Sequence, residues 1–304
     1  MPELPEVETM ARELAPRVVG RTITAFHTDW PRAIRHPDPG DFAAGVAGRE
    51  VLDVARRAKW LVLSLTDDAA MIIQVKMTGQ LFVVSPETGG DRHVHHVFAL
   101  SDGMELRIRD TRKFGRLGLY RRNEAGRVLG ADEAVELFAG HGPEPLDPSF
   151  TLAAFRKRLR ARRGRLKPLL LDQSFVAGIG NIYADEALWL ARLHPLRRAD
   201  SLTPAAERRL YRAIRSVLIE AIERRGSSID DYTSLDGDGQ MQHHLRVYGR
   251  IGRPCHRCRR PIRRIVLGAR GTHFCSWCQR LPASQRGLAT ATLLRSPRTG
   301  ARRD

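Results

Sequence analysis

The sequence predicts an α+β protein of two domains, and three observations carry that prediction. Residues 50–120 hold short runs of apolar and β-branched residues separated by turn signals. Past a Pro-rich stretch at 141–148, the hydrophobic period becomes that of helices. All four cysteines fall between 255 and 278, as two Cys-x-x-Cys pairs. A length of 304 residues leaves room for about two domains of ordinary size.

The elements follow in order. Val7, Met10, Ala11 and Leu14 recur at i, i+3, i+4 and i+7, which predicts an amphipathic helix after Pro5. Pro5 suits a first helical position, and Glu6 and Glu8 suit the positive end of the helix dipole. Strands are predicted at 60–65, 71–75, 81–84, 94–100, 105–109 and 117–120, with turns at Asp67-Asp68, Thr78-Gly79, Gly89-Gly90 and Asp102-Gly103. An antiparallel sandwich or barrel is the natural packing for such strands. This first domain spans 1–140, with a linker at 141–150.

Leu152, Phe155 and Leu159 then mark a short helix, and a second runs through 185–193. Thr203 caps a longer helix that opens on Pro204, buries Leu210, Ile214, Val217, Leu218 and Ala221, and stops at Gly226. Residues 227–250 are turn-rich and read as a long mobile loop that closes the 151–250 domain. A cysteine module occupies 251–280, with strands at 262–267 and 272–274 about a turn at 268–271. The stretch 281–304 is basic and aperiodic, and is expected to be a disordered tail.

Charge divides the chain unevenly. Residues 1–150 carry a net −3 and residues 151–304 a net +20. The second half therefore expects a polyanionic partner, nucleic acid before an anionic membrane; a merely solvated basic surface is the alternative. A hydrophobic fraction of 42% with 28% charged residues fits a folded chain rather than a disordered one. No run is long and apolar enough to span a bilayer, so no membrane partner is expected. The acidic start, Met1-Pro-Glu-Leu-Pro-Glu, does not read as a signal peptide. A cytoplasmic location is expected, where disulfides are rare.

Cys255-x2-Cys258 and Cys275-x2-Cys278 have the spacing of a four-thiolate zinc site. A closed shell of four sulfurs leaves no open coordination position, so one structural zinc is expected and no organic cofactor. The turn between the module's strands presents Arg270 at a hairpin tip, where it can reach a phosphate.

Pro2 is the unusual chemical group. Removal of Met1 would expose a secondary amine, partly neutral near physiological pH. Such an amine can attack an electrophilic sugar carbon and form an iminium, an electron sink for elimination. Glu3 stands beside it as a proton donor or acceptor. The alternative is that both residues only start a helix.

The segment Met1–Thr9, MPELPEVET, resembles the N-terminal signature of the formamidopyrimidine-DNA glycosylase family. The resemblance continues at 57–60, 76–79, 110–115, 142–146, 169–173, 176–189, 245–249 and the cysteine module, covering about 1–280 in order. It implies an N-terminal β-sandwich with flanking helices, then a helix–two-turn–helix domain with a β-hairpin zinc finger. It implies a monomer that acts on double-stranded DNA containing damaged bases or abasic sites, removes oxidised purines and cuts the strand by β,δ-elimination. By position, Pro2 matches the nucleophile, Glu3 the general acid, Lys59 the lysine of phosphate contact and β-elimination, and Arg270 the finger arginine. Met77, Arg112 and Phe114 match the side chains that fill the gap left by an extruded nucleotide. Asn181 matches a phosphate contact at a helix entrance, and His93, Arg163 and Lys167 match further DNA contacts.

Gln74 departs from the family pattern, which has His at that position. Residues 226–245 match a loop over the extruded base. Three alternatives remain at this stage: an endonuclease VIII-like preference for oxidised pyrimidines, a non-catalytic lesion-binding protein on the same scaffold, and a zinc-ribbon RNA binder.

Overall fold

The computed structural model describes residues 2–229, 233 and 235–287. The chain forms two compact units, Met1–His141 with Glu220–His243, and Gly142–Ile219 with His244–Asp304. The described residues of 220–243 thus group with the first unit, whereas their place in the sequence groups them with the helical domain. The expected tail lies outside the described residues from 288 on, as do 230–232 and 234 of the expected loop.

In the first unit, helix α1 (Leu4–Val18) precedes eight strands: β1 (Ile23–Thr28), β2 (Val51–Arg57), β3 (Trp60–Leu65), β4 (Ala69–Gln74), β5 (Gly79–Val84), β6 (Val94–Leu100), β7 (Glu105–Asp110) and β8 (Arg116–Arg121). They make two four-stranded sheets, ordered β1-β6-β7-β5 and β2-β3-β4-β8. Every pairing between these strands is antiparallel. Leu61, Leu63, Leu65, Met71 and Ile73 of one sheet share a core with Phe98, Leu100, Leu106 and Ile108 of the other, so the fold is a sandwich rather than a barrel. Val7, Met10, Ala11 and Leu14 of α1 join that core, as their spacing predicts. Helix α2 (Pro39–Val46) packs Phe42 and Val46 there too; with only two buried residues it leaves little periodic signal.

Strands β1 and β2 are not predicted from the sequence, and the reason is physical. Each is an edge strand with only one or two fully buried residues, so its apolar signal is weak.

The second unit holds α3 (Leu152–Arg160), α4 (Leu166–Leu171), α5 (Asn181–Leu190) and most of α6 (Pro204–Glu223). Phe155 of α3 and Tyr211 of α6 pack with each other and with Phe150, while Phe155 also meets Phe175. The Thr203 hydroxyl accepts from the Ala206 N–H (3.3 Å), as expected of an N-cap. Strands β9 (Arg263–Leu267) and β10 (Arg270–Phe274) form the hairpin of the cysteine module. No helix among the described residues is long and apolar enough to cross a membrane.

Candidate active site and nucleic-acid contacts

Pro2 and Glu3 immediately precede α1. Glu3 is the helix N-cap and is buried, and its N–H donates to the Glu6 carboxylate (2.9 Å). The same carboxylate accepts from the Ser227 N–H (2.8 Å), so Glu6 ties the start of α1 to the segment after α6. Gly226 makes this approach possible: its φ is +75°, and a Cβ there would lie 2.8 Å from Glu6 Cγ and Oε1. In the sequence, Glu6 shows no role beyond favouring a helix start.

Lys59 sits in the two-residue turn between β2 and β3, after Ala58 in the left-handed region at φ +54°. The largely buried Arg56 braces that turn, donating to Ala58 O and to Glu8 Oε2 of α1, both at 3.0 Å. The lysine turn and the helix that follows Pro2 and Glu3 are therefore tied by one arginine.

Met77, Arg112 and Phe114 come from two loops and meet. An Arg112 guanidinium nitrogen lies 3.7 Å from Met77 Sδ, and the guanidinium carbon sits 4.6 Å from the Phe114 ring centroid. Phe114 is 42% exposed. The loops are set by Asp110, a buried carboxylate with no role evident from sequence alone. It accepts from the Thr78 hydroxyl, from the Arg112 N–H (3.2 Å), and from the Phe114 and Gly115 N–H groups (2.8 and 2.7 Å). Gly79 permits the Met77 turn, because a Cβ would lie 2.4 Å from Val75 O. His93 precedes β6, half-buried, with its carbonyl accepting from the Asp110 N–H (2.8 Å).

Gln74 and Lys76 line a cleft of about 330 Å³ with Arg35, Arg116, Trp60 and Tyr120. Burial, and then the charge of Arg35, hold the Lys76 amine below its usual range.

In the second unit, Asn181 opens α5, and its buried Oδ1 has no hydrogen-bond partner among the described residues. Gln173 shapes the preceding turn, donating to Leu171 O and Ile179 O and accepting from the Gly178 N–H. Arg163 is exposed on the segment between α3 and α4. Arg270 is exposed and begins β10, directly after a two-residue turn in which Gly268 and Ala269 both have positive φ.

Lys167 is a correction. Expected to touch DNA, it is fully buried: its amine donates to Asp185 Oδ1 (2.6 Å) and Gly271 O (3.1 Å). Asp185 Oδ2 accepts the His273 N–H (2.8 Å). The pair clamps α4 and α5 onto the hairpin, one residue from Arg270. Glu186, also buried, accepts the Arg246, Val247 and Tyr248 N–H groups at 2.8–2.9 Å. Burial pushes its carboxyl up while those three donors pull it down. The sequence alone does not reveal the role of either acid, because their backbone donors lie about 60 to 90 residues away in the chain.

The four cysteine sulfurs lie within 4.8 Å of one another. A tetrahedral zinc with Zn–S bonds of about 2.3 Å needs sulfurs about 3.8 Å apart, and the group fits that ion. Gln279 orients the second pair, accepting from the Cys275 N–H and donating to Leu193 O.

Three family models match in order. The formamidopyrimidine-DNA glycosylase N-terminal domain covers residues 1–117, the formamidopyrimidine-DNA glycosylase H2TH domain covers 141–233, and the zinc finger found in FPG and IleRS covers 252–281. A formamidopyrimidine-DNA glycosylase of Chloroflexus aurantiacus is 50% identical, over 92% of this chain and 98% of its own. The chain belongs to the formamidopyrimidine-DNA glycosylase family. The Herpetosiphon aurantiacus glycosylase is 46% identical over 92% of this chain and 100% of its own. Among solved structures, a Lactococcus lactis glycosylase mutant bound to DNA containing Fapy-dG superposes with a TM-score of 0.84 at 35% identity, over 92% of this chain and all of that one. The Thermus thermophilus enzyme gives 0.79 at 40% identity, over 91% and 98%. The family's H2TH model and zinc finger match the helical segment and cysteine module described above.

Proposed function

We propose that this chain excises oxidised purines from duplex DNA and then cleaves the strand at the abasic site. The observation that carries the reading is the contact among Met77, Arg112 and Phe114. Three side chains with little reason to meet in a core form one exposed cluster, suited to replace an extruded nucleotide. The relatives' names, and the Lactococcus complex with Fapy-dG DNA, favour purines over the pyrimidine alternative.

In this reading, the Pro2 amine attacks the deoxyribose C1′ and the base leaves with a proton from Glu3. The amine's own proton passes by way of Glu3 to O4′ as the C1′–O4′ bond opens, which gives the nitrogen–C1′ iminium. This takes up the electron pair left when a C2′ proton is removed, and the 3′ C–O bond breaks. A second elimination breaks the 5′ C–O bond. Lys59 and Arg270 hold phosphates beside the sugar, and Arg270 assists the second elimination. Asn181, Arg163 and His93 hold the backbone. The zinc supplies structure and holds the hairpin that carries Arg270. The enzyme works as a monomer in the cytoplasm, where its DNA lies.

Side-by-side excision of 8-oxoguanine opposite cytosine and of thymine glycol tests the substrate class. Faster release of 8-oxoguanine is expected; preferential release of thymine glycol would overturn it.

A further inference from the structure

The zinc finger carries a second cationic feature, away from the hairpin turn. From Gly239 to Arg303 the sequence has no acidic side chain, while 246–286 alone holds 11 arginines. Some are internal: Arg257 stacks 3.7 Å from the Trp189 ring centroid and donates to Trp189 O and Leu190 O. Arg260 and Arg280 are different. Both are exposed, and their guanidinium carbons lie 3.4 and 3.8 Å from the ring centroid of Trp277, itself 46% exposed. Two guanidiniums at such distances cannot share one face of an indole, so they occupy opposite faces.

The sandwich is built on the metal site. Trp277 lies inside the second Cys-x-x-Cys turn, and Arg260 follows the first by two residues. A tetrathiolate zinc carries a formal charge of about −2, which offsets only part of the arginine excess. Beside Trp277 a cleft of about 380 Å³ is lined by His194, Ser276, Arg280, Leu281 and Arg286. Arg270 begins β10, whose four steps of roughly 3.3 Å carry the chain about 13 Å to Phe274, three residues before Trp277.

We infer that Arg260, Trp277 and Arg280 form a second contact with the sugar–phosphate backbone of DNA, outside the segment held at the lesion. Since both indole faces are covered, no base stacks there, and the grip is independent of sequence. The indole fixes two planar forks with their N–H edges toward solvent, suited to phosphate oxygens on one strand. DNA is favoured over an acidic protein because a duplex held at the lesion brings its own flanking phosphates to the finger at high effective concentration. This inference rests on the proposed DNA-repair reading.

The test compares wild type, the zinc-loaded double variant Arg260→Ala/Arg280→Ala, and Trp277→Leu, which keeps both charges but removes the platform. Binding to an abasic-site duplex is measured against salt for a long duplex and for one trimmed close to the lesion. On the long duplex the double variant is expected to lower the slope of log K against log salt by about 1.8, since each phosphate that is no longer neutralised removes about 0.9. Trp277→Leu should fall between it and wild type. On the trimmed duplex all three should share one slope and cleave equally at saturation. An unchanged slope on the long duplex overturns the inference, and so does an equal drop on the trimmed one. Arginine-dependent binding of a polyglutamate peptide with an unchanged DNA slope would assign the patch to an acidic protein and overturn it as well. Failure of wild type to cleave the long abasic-site duplex would instead sink the DNA-repair reading.

Discussion

Replacing Lys167 with methionine tests how the finger is held. Lys167 and Asp185 are both wholly inaccessible, 2.6 Å apart, with Gly271 O at 3.1 Å from the same amine. Methionine keeps much of the volume and removes the charge, leaving the Asp185 carboxylate buried without its cation. Breaking a buried pair from one side costs about 3–5 kcal/mol, a large share of an ordinary domain's stability of about 5–15 kcal/mol. The double variant Lys167→Met/Asp185→Leu removes both charges. What remains is the His273 N–H, bonded at 2.8 Å in the wild type, and the Gly271 carbonyl. The Gly271 carbonyl is orphaned in both variants, so beyond the single variant the double one adds only the His273 N–H, at about 1–3 kcal/mol, and removes the uncompensated charge. The double variant should therefore be more stable than the single one. Urea unfolding of zinc-loaded protein, followed by tryptophan fluorescence, reads the order. A single variant within about 1 kcal/mol of wild type would refute the reasoning, as would a double variant less stable than the single.

Three further outcomes are expected. Gly226→Ala should destabilise the first unit, by about 1–2 kcal/mol for the left-handed backbone and about 1–3 kcal/mol for the clash with Glu6. Thermal unfolding measures this, and a neutral result would mean that Glu6 moves freely. Acid should destabilise the fold between about pH 6.5 and about pH 4. Burial, and for His96 then the charge of His95, pushes the His96 and His194 imidazoles down to about 4. The unfolded chain binds those protons first, so stability is full above about pH 6.5 and falls toward about pH 4, by about 3 kcal/mol for each histidine. His96→Leu should flatten that part of a stability–pH curve. Stripping zinc with a strong chelator should release one ion per chain and weaken DNA binding with it, and re-addition should restore both. Metal release that leaves binding intact would detach the finger from the DNA contact.

Much of this is legible in the sequence because the signals are local. The cysteine spacing anticipates the sulfur cluster, and the spacing of Val7, Met10, Ala11 and Leu14 anticipates the buried face of α1. Thr203 marks the start of a helix as its chemistry demands, and Gly226 lies in the left-handed turn three residues past its last helical residue. What stays hidden depends on partners distant in sequence. Lys167 is indistinguishable from a surface lysine until Asp185, 18 residues on, and Gly271, 104 residues on, close around it. Asp110 looks like one acid in a charged motif until four donors converge on it. The charge split between the two halves is real, but it points to the basic half, while Pro2, Glu3, Lys59 and the Met77–Arg112–Phe114 cluster sit in the near-neutral one.

The central claim is the Pro2 amine as nucleophile, and borohydride trapping with peptide mapping tests it most directly. Protein lacking Met1 is incubated with abasic-site duplex and reduced, and the adduct is located by mass spectrometry. The account predicts a covalent complex with the sugar on the Pro2 nitrogen. An adduct on Lys59, or none from protein that cleaves the duplex, would contradict it.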